Sequence, residues 1–178
     1  MGYPTVSELN VLDPKAFADE VAPLFEGARG FLERLAGARP FESDHAMMAA
    51  AREVARTMPE PEQIELLDAH PILGADPESV SPASFEEQGY GSSDDAGSQP
   101  MLEELAMLNE VYQGRFGFRF VVFVAGRPLS AVGPLIEASM RNDRAAELAR
   151  GLDDVIDIAA DRLGRLRGEY PDREDDAS

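Results

Sequence analysis

The chain contains no cysteine, which removes disulfide frameworks, thiolate nucleophiles and Cys-based metal sites from consideration. The redox compartment stays open, because a cysteine-free chain suits any of them. Histidine is almost as scarce: His45 and His70 are the only two, so a centre built from three or more histidines is excluded. The sequence holds no Gly-x-Gly-x-x-Gly, no Walker loop, no His-Glu-x-x-His and no Gly-x-Ser-x-Gly elbow. Its acidic residues lack EF-hand spacing. No metal and no cofactor is therefore expected. No apolar run approaches the roughly 20 residues that cross a bilayer, and Met1, Gly2, Tyr3 and Pro4 do not begin a basic-then-apolar signal pattern. The expectation is a soluble, cytoplasmic protein with no membrane partner.

What the chain has in excess is negative charge. Its 34 acidic residues against 16 basic ones give a formal charge of -18 and a pI near 4.3, a field that repels nucleic acid and acidic membranes. A small anionic ligand would need a local basic group. Lys15 is the only lysine and the other basic residues are arginines, which suit bidentate carboxylate contacts, although a GC-rich coding bias produces the same skew. With 178 residues, 44% of them hydrophobic, the chain can bury the core of one domain.

The hydrophobic pattern is helical nearly throughout. Phe17, Val21, Leu24 and Phe25, then Phe31, Leu32 and Leu35, recur at three- and four-residue spacing, with Asp13-Pro14 as a helix start. These read as two short helices separated near residues 27–30. A third helix is predicted from Ser43 or Asp44 to just before Pro59, and a fourth over 61–68, stopping at His70-Pro71 because the residue before a proline avoids helical angles. Residues 89–100 have loop composition. The stretch 101–115 carries Leu102, Leu105, Leu108, Val111 and Tyr112 on one face, and helices over 134–140 and 143–166 complete the pattern, the last aligning Leu152, Val155, Ile156, Ala159, Leu163 and Leu166. Only 118–124 is strand-like, rich in Val and Phe. Lacking a strand partner, it reads as buried extended backbone or a helix start. The fold class is thus all-α: a single-domain multi-helix bundle over 1–167 with one buried extended segment near 118–124, followed by an acidic tail, 168–178, expected to fray.

Few residues are placed to do chemistry. His70 sits in a proline-restrained setting, His70-Pro71-Ile72-Leu73-Gly74. It reads either as a histidine bonded at a helix end or as one projecting into a cleft, where an ordinary pKa near 6.5 suits proton transfer. Ser84-x-x-Glu87 is a capping box, a role that does not exclude a second one. The aromatic cluster Phe116, Phe118 and Phe120 reads as core, or as non-helical backbone offering amides to a polar ligand. Arg162, beside Ile158, Ala159 and Leu163, is either a snorkelling surface arginine or a clamp for a carboxylate. His45 is read as a helix-start residue.

Taken in order, several segments resemble the family of 2-oxo-4-hydroxy-4-carboxy-5-ureidoimidazoline (OHCU) decarboxylases. They are Glu8-Leu9-Asn10, Leu24-Phe25-Glu26, Arg39-Pro40-Phe41, Ala69-His70-Pro71-Ile72-Leu73-Gly74, Ser84-x-x-Glu87-Gln88, Leu108-Asn109-x-x-Tyr112, Phe116-Gly117-Phe118-x-Phe120-Val121, Arg141-Asn142 with Glu147, and Ile158-Ala159 with Arg162-Leu163. The resemblance runs from about residue 8 to residue 167. It implies an all-helical fold, a homodimer, no cofactor, and decarboxylation of OHCU to (S)-allantoin in urate degradation. It also implies that His70, Glu87 and Arg162 act at the centre of the site. Pro71, Ser84 and Gln88 match substrate-contacting positions, and Phe120, Val121, Val122, Phe123 and Val124 match the backbone segment that lines the pocket. The chain departs from the family at Ile72, where many members carry a polar residue, and after Gln88, where residues 89–100 replace an Ala-Gly-Leu continuation. A carboxylate beside His70 would raise its proton affinity. Two other classes remain: a hydrolase or lyase acting on a related ureido compound, and a non-catalytic helical interaction protein. The last requires His70 and Arg162 to be far apart.

Overall fold

The computed structural model describes residues 2–74 and 99–168. The described residues form eight α-helices and no strand: α1 (Val6–Val11), α2 (Pro14–Val21), α3 (Arg29–Gly37), α4 (Asp44–Thr57), α5 (Glu60–Asp68), α6 (Gln99–Phe116), α7 (Val132–Ser139) and α8 (Arg144–Arg167). Local chemistry sets half of their starts. Thr5 and Glu8 close a capping box on α1, Asp13 caps α2 ahead of Pro14, Ser43 caps α4 and Asp143 caps α8; each side chain accepts from an amide that the first helical turn leaves unpaired. Gly168, at φ 71, ends α8 in the left-handed conformation that glycine adopts without penalty.

The core lies around α8, on which α4, α5 and the 3-10 turn Ala22–Leu24 pack. Leu148, Leu152, Val155, Ile156, Ala159 and Leu163 of α8 are buried on one stripe. Gly151 falls on the same stripe, where a Cβ would come within 3.2 Å of Leu67 Cδ2, so the missing side chain lets α5 approach. On the outer side, Arg52 and Arg56 of α4 pair with Asp153 and Asp157 of α8. These exposed pairs add specificity of register more than stability.

Asn10 of α1 and Arg39 of the connection after α3 do much of the joining. Asn10 accepts from the Phe41 amide at 2.9 Å and donates to its carbonyl at 2.8 Å. Arg39, which precedes a cis peptide bond to Pro40, donates to the carbonyls of Ala36, Leu9 and Leu12. The Asn10 and Arg39-Pro40-Phe41 motifs are thereby explained as ties between α1 and the end of α3.

Several sequence expectations need adjustment. Helix α1 was not foreseen, because six residues with one buried apolar position carry too little periodicity. The first helical break lies at 25–28, and Gly30 is already inside α3. Gln99 and Pro100 belong to α6 and not to a loop, since proline is tolerated in a first helical turn. Val111 and Leu166, assigned to buried faces, are exposed, and the buried stripe of α6 runs through Leu105, Asn109, Tyr112 and Phe116. His45 is the exposed second residue of α4. The tail beyond Gly168 lies outside the described residues.

Candidate active site

Helix α5 ends at Asp68 and the chain turns immediately into His70-Pro71. Proline at 71 cannot continue a helical ladder, and the last turn closes instead through the His70 amide on the Leu67 carbonyl, 3.1 Å. His70 is 4% exposed. Its Nδ1 lies 3.0 Å from the Leu66 carbonyl oxygen, an acceptor, which requires a proton on Nδ1 and leaves the Nε2 lone pair available. Nε2 is buried without a hydrogen-bond partner among the described residues. One ring nitrogen thus serves the helix end, as one reading of this histidine has it, and the residue also borders a pocket.

The backbone around His70 is held from two further directions. Arg119 donates from Nη1 to the carbonyls of Asp68, 2.6 Å, and His70, 3.0 Å, while its amide donates to the Asp68 carboxylate at 2.9 Å. Asn109 of α6 is buried and donates to the Leu73 carbonyl at 3.1 Å and the Leu105 carbonyl at 2.9 Å. A buried carbonyl left unpaired would cost on the order of 1–3 kcal/mol, which accounts for an amide side chain on an otherwise apolar stripe.

Residues 119–124 belong to no helix and no strand. Their polar groups therefore have to find side chains. Arg150 of α8 donates to the Val121 carbonyl at 2.9 Å and pairs with Asp154 at 2.7 Å, and the Asp154 carboxylate accepts from the Phe123 amide. Arg127 donates to the carbonyls of Val124 and Phe123. Behind this, Glu147 is fully buried and accepts from Tyr112 Oη at 2.7 Å, from Asn142 at 2.8 Å and from Arg150. Burial pushes the Glu147 carboxyl up, but the hydrogen bonds from Arg150, Asn142 and Tyr112 outweigh it and hold the group below the usual carboxylate range. The same neighbourhood pushes Asp154 the other way, because its burial outweighs Arg150.

Arg162 comes from the inner face of α8. It is no snorkelling arginine: it is 5% exposed, pairs through Nη2 with Glu26 at 2.7 Å, and donates from Nη1 to the Pro23 carbonyl at 2.9 Å. His70, Pro71, the five residues Phe120, Val121, Val122, Phe123 and Val124, and Arg162 all line one pocket, which Ile158 and Arg165 also border. Having His70 and Arg162 in one concavity removes the separation that an interaction protein would need. Ser84, Glu87 and Gln88 lie outside the described residues, so their placement relative to this pocket belongs to the proposal below.

Glu87, the carboxylate that the sequence reading set beside His70, lies outside the described residues, and the electrostatics of His70 among those described come from burial, Leu66, Arg162 and Glu26. Burial lowers its pKa from 6.5 to about 4, since an imidazolium loses its hydration there. The Leu66 carbonyl favours the proton, Arg162 opposes it and Glu26 favours it, in that order of size. A carboxylate does lie nearby, but it does not win. The imidazole is neutral at pH 7 and is equipped to accept a proton at Nε2. Among the described residues no group of three or more histidine, aspartate and glutamate side chains is placed to hold a metal ion, and no helix is long and apolar enough to cross a membrane.

A family model described as OHCU decarboxylase matches residues 10–164. This chain belongs to the OHCU decarboxylase family. It is 32% identical over 159 residues to the 2-oxo-4-hydroxy-4-carboxy-5-ureidoimidazoline decarboxylase of Haloferax volcanii, covering 89% of this chain and 94% of that protein. A Bacillus subtilis relative, the uric acid degradation bifunctional protein PucL, is 30% identical over 165 residues, covering 91% of this chain but 32% of that longer protein. The OHCU decarboxylase fold recurs in a crystal structure of OHCU decarboxylase in the presence of (S)-allantoin, with a TM-score of 0.67 at 21% identity over 84% of this chain and 98% of that one. It recurs again in (S)-allantoin synthase, with a TM-score of 0.65 at 20% identity over 92% of this chain and 54% of that one.

Sequence reasoning did not assign Glu26, Asn109, Arg119, Arg150 or Arg165 to the surroundings of the site. Glu26 and Asn109 stand inside the motifs that carried the family resemblance, which was the available signal. Arg119, Arg150 and Arg165 carry no such signal: Arg119 finds its partners at the end of α5, Arg150 at Val121, and Arg165 pairs with Asp161 within α8.

Proposed function

We propose that this protein decarboxylates OHCU, releasing carbon dioxide and giving (S)-allantoin. The observation that carries this reading is the neutral, buried His70, whose Nε2 lacks a partner among the described residues and which lines one pocket with Arg162. The substrate bears a carboxylate and a hydroxyl on one ring carbon, next to an imine carbon carrying the ureido group. When the carbon–carboxylate bond breaks, its electron pair moves into the imine, so the substrate is its own electron sink and the reaction calls on no cofactor. The imine nitrogen takes up one proton from solvent as carbon dioxide leaves, and the resulting enol loses its hydroxyl proton and gains one on the neighbouring carbon; delivery to one face gives one enantiomer.

In this scheme His70 Nε2 takes the hydroxyl proton, and the Leu66 carbonyl fixes the tautomer that makes this possible. Arg162 binds a charged or carbonyl oxygen of the substrate. Glu87 orients His70 or the hydroxyl, Pro71, Ser84 and Gln88 contact the ring, and the backbone of 120–124 forms the opposite wall. We also infer one helical domain over 1–167 from the length and helical pattern, an acidic tail from the composition of 168–178, and a homodimer from the family resemblance.

The test is optical activity followed in time after urate is oxidised and hydrolysed, with and without the protein, against a control for spontaneous decay to racemic allantoin. Enantiopure (S)-allantoin formed faster than the control supports the reading, and His70→Asn should lower turnover by about two to four orders of magnitude. A variant that keeps the full rate would end the assignment of His70. Release of ammonia or urea in place of carbon dioxide would point to a hydrolase acting on a related ureido compound.

A further inference from the structure

We propose that Glu26 is the positioning residue for Arg162, a role that rests on reading the His70 pocket as the decarboxylation site. The loop that carries Glu26 is unusual. After the 3-10 turn Ala22–Leu24, Phe25 is buried and its ring lies 4.7 Å from that of Phe31, so the loop is anchored in the core. Glu26 then adopts φ 52 and Gly27 φ 74. The second is a conformation glycine takes freely; the first is one that residues with a Cβ resist. A glutamate is kept where glycine or asparagine would fit the backbone better, and a strained residue beside a pocket calls for a reason in its side chain.

That reason is visible at its end. The carboxylate is 12% exposed and sits 2.7 Å from Arg162 Nη2. The same loop supplies the Pro23 carbonyl to Arg162 Nη1 at 2.9 Å, with the Leu24 carbonyl at 3.5 Å. Because the guanidinium is planar, holding both terminal nitrogens fixes the plane in which the group meets the pocket. The left-handed step at Glu26 is what brings the side chain and the two carbonyls to one side of the arginine. Glu26 also balances the effect of Arg162 on His70: the arginine disfavours the imidazolium and the carboxylate favours it. It touches neither substrate nor reacting atoms in this scheme, and it acts through Arg162.

A double-mutant cycle on the full chain tests this. Glu26→Gly removes the side chain and also relieves the backbone, so it should fold, with helical circular dichroism as the check. It should lower kcat by about 10²-fold, the order expected when a positioned group swings by about an ångström. Glu26→Gln, whose amide oxygen can still accept from Nη2, should recover at least tenfold of that loss. In an Arg162→Ala background, Glu26→Gly should cost no more than about threefold further, because residues acting through one another are not additive. Wild-type kcat in Glu26→Gly, or a full further loss in the Arg162→Ala background, overturns the proposal. If Glu26→Gly does not fold, Glu26→Gln decides: a loss of about threefold to tenfold that vanishes in Arg162→Ala supports it, and unchanged kcat overturns it. Full activity in both His70→Asn and Arg162→Ala would instead sink the site itself, and the role of Glu26 with it.

Discussion

Replacing His70 with asparagine should remove one identifiable component of the pH dependence of stability. The unfolded histidine takes up a proton near pH 6.5, whereas burial delays this in the folded protein to about pH 4. Between those values the unfolded chain binds more protons, so stability falls as pH falls. The contribution is intact above pH 6.5, declines between 6.5 and 4, and changes no further below. The interval corresponds to on the order of 3 kcal/mol, at about 1.4 kcal/mol for each tenfold change in proton affinity. His70 is almost wholly buried, so solvent screening does not dilute this figure. Asparagine is the informative replacement because its amide can still donate to the Leu66 carbonyl, yet it does not titrate. Urea unfolding at pH 7, 6, 5 and 4, extrapolated to water, gives stabilities of both proteins, and their difference cancels the carboxylates common to both. The wild-type advantage should shrink by about 3 kcal/mol from pH 7 to pH 4. Parallel curves would refute the claim that His70 is held neutral by burial. The same neutrality predicts that kcat/KM has no acid limb near pH 6.5, because the free enzyme's base is already deprotonated there.

Three further substitutions probe the supports of the pocket. Arg119→Met removes the donor to the Asp68 and His70 carbonyls and should lower kcat by about tenfold while KM changes less, measured by initial rates. Glu147→Gln keeps the shape of a fully buried group but removes the charge paired with Arg150; it should cost on the order of 3 kcal/mol at pH 7 by urea unfolding. Since the folded Glu147 pKa lies below its usual 4.5, the charged group's stabilisation is present above that value and is lost as pH falls through the folded one, so the variant's deficit should narrow in acid. Gly74→Ala places a Cβ 3.1 Å from Leu105 Cδ1 on a residue at φ 79, and should lower stability by more than about 1 kcal/mol with a fall in melting temperature.

Most of the helices were legible because their signals are local. Asp13-Pro14, Ser43 and Asp143 cap in isolation as they do in the protein, and the apolar stripe of α8 is long enough to show its period over 24 residues. Helix α1 was missed because its stability comes from Leu9 in the core and from Asn10 tied to Phe41, contacts made across 31 residues. Val111 was placed on the buried face of α6 and Asn109 was left off it, because periodicity counts only hydrophobicity, whereas Asn109 is buried to satisfy the Leu73 and Leu105 carbonyls.

Composition and spacing were also enough to narrow the chemistry. A chain without cysteine, with two histidines and no metal or nucleotide motif, leaves His70 among few options, and the order of its motifs placed it in a family. Sequence could not decide the state of that histidine. Its proton affinity depends on how much water surrounds the ring and on how near Arg162 and Glu26 stand, quantities that exist only once α5, α8 and the loop after α2 are packed together. Burial of the ring outweighs the pull of the Glu26 carboxylate, because desolvation acts on the charge itself while that carboxylate is already engaged by Arg162.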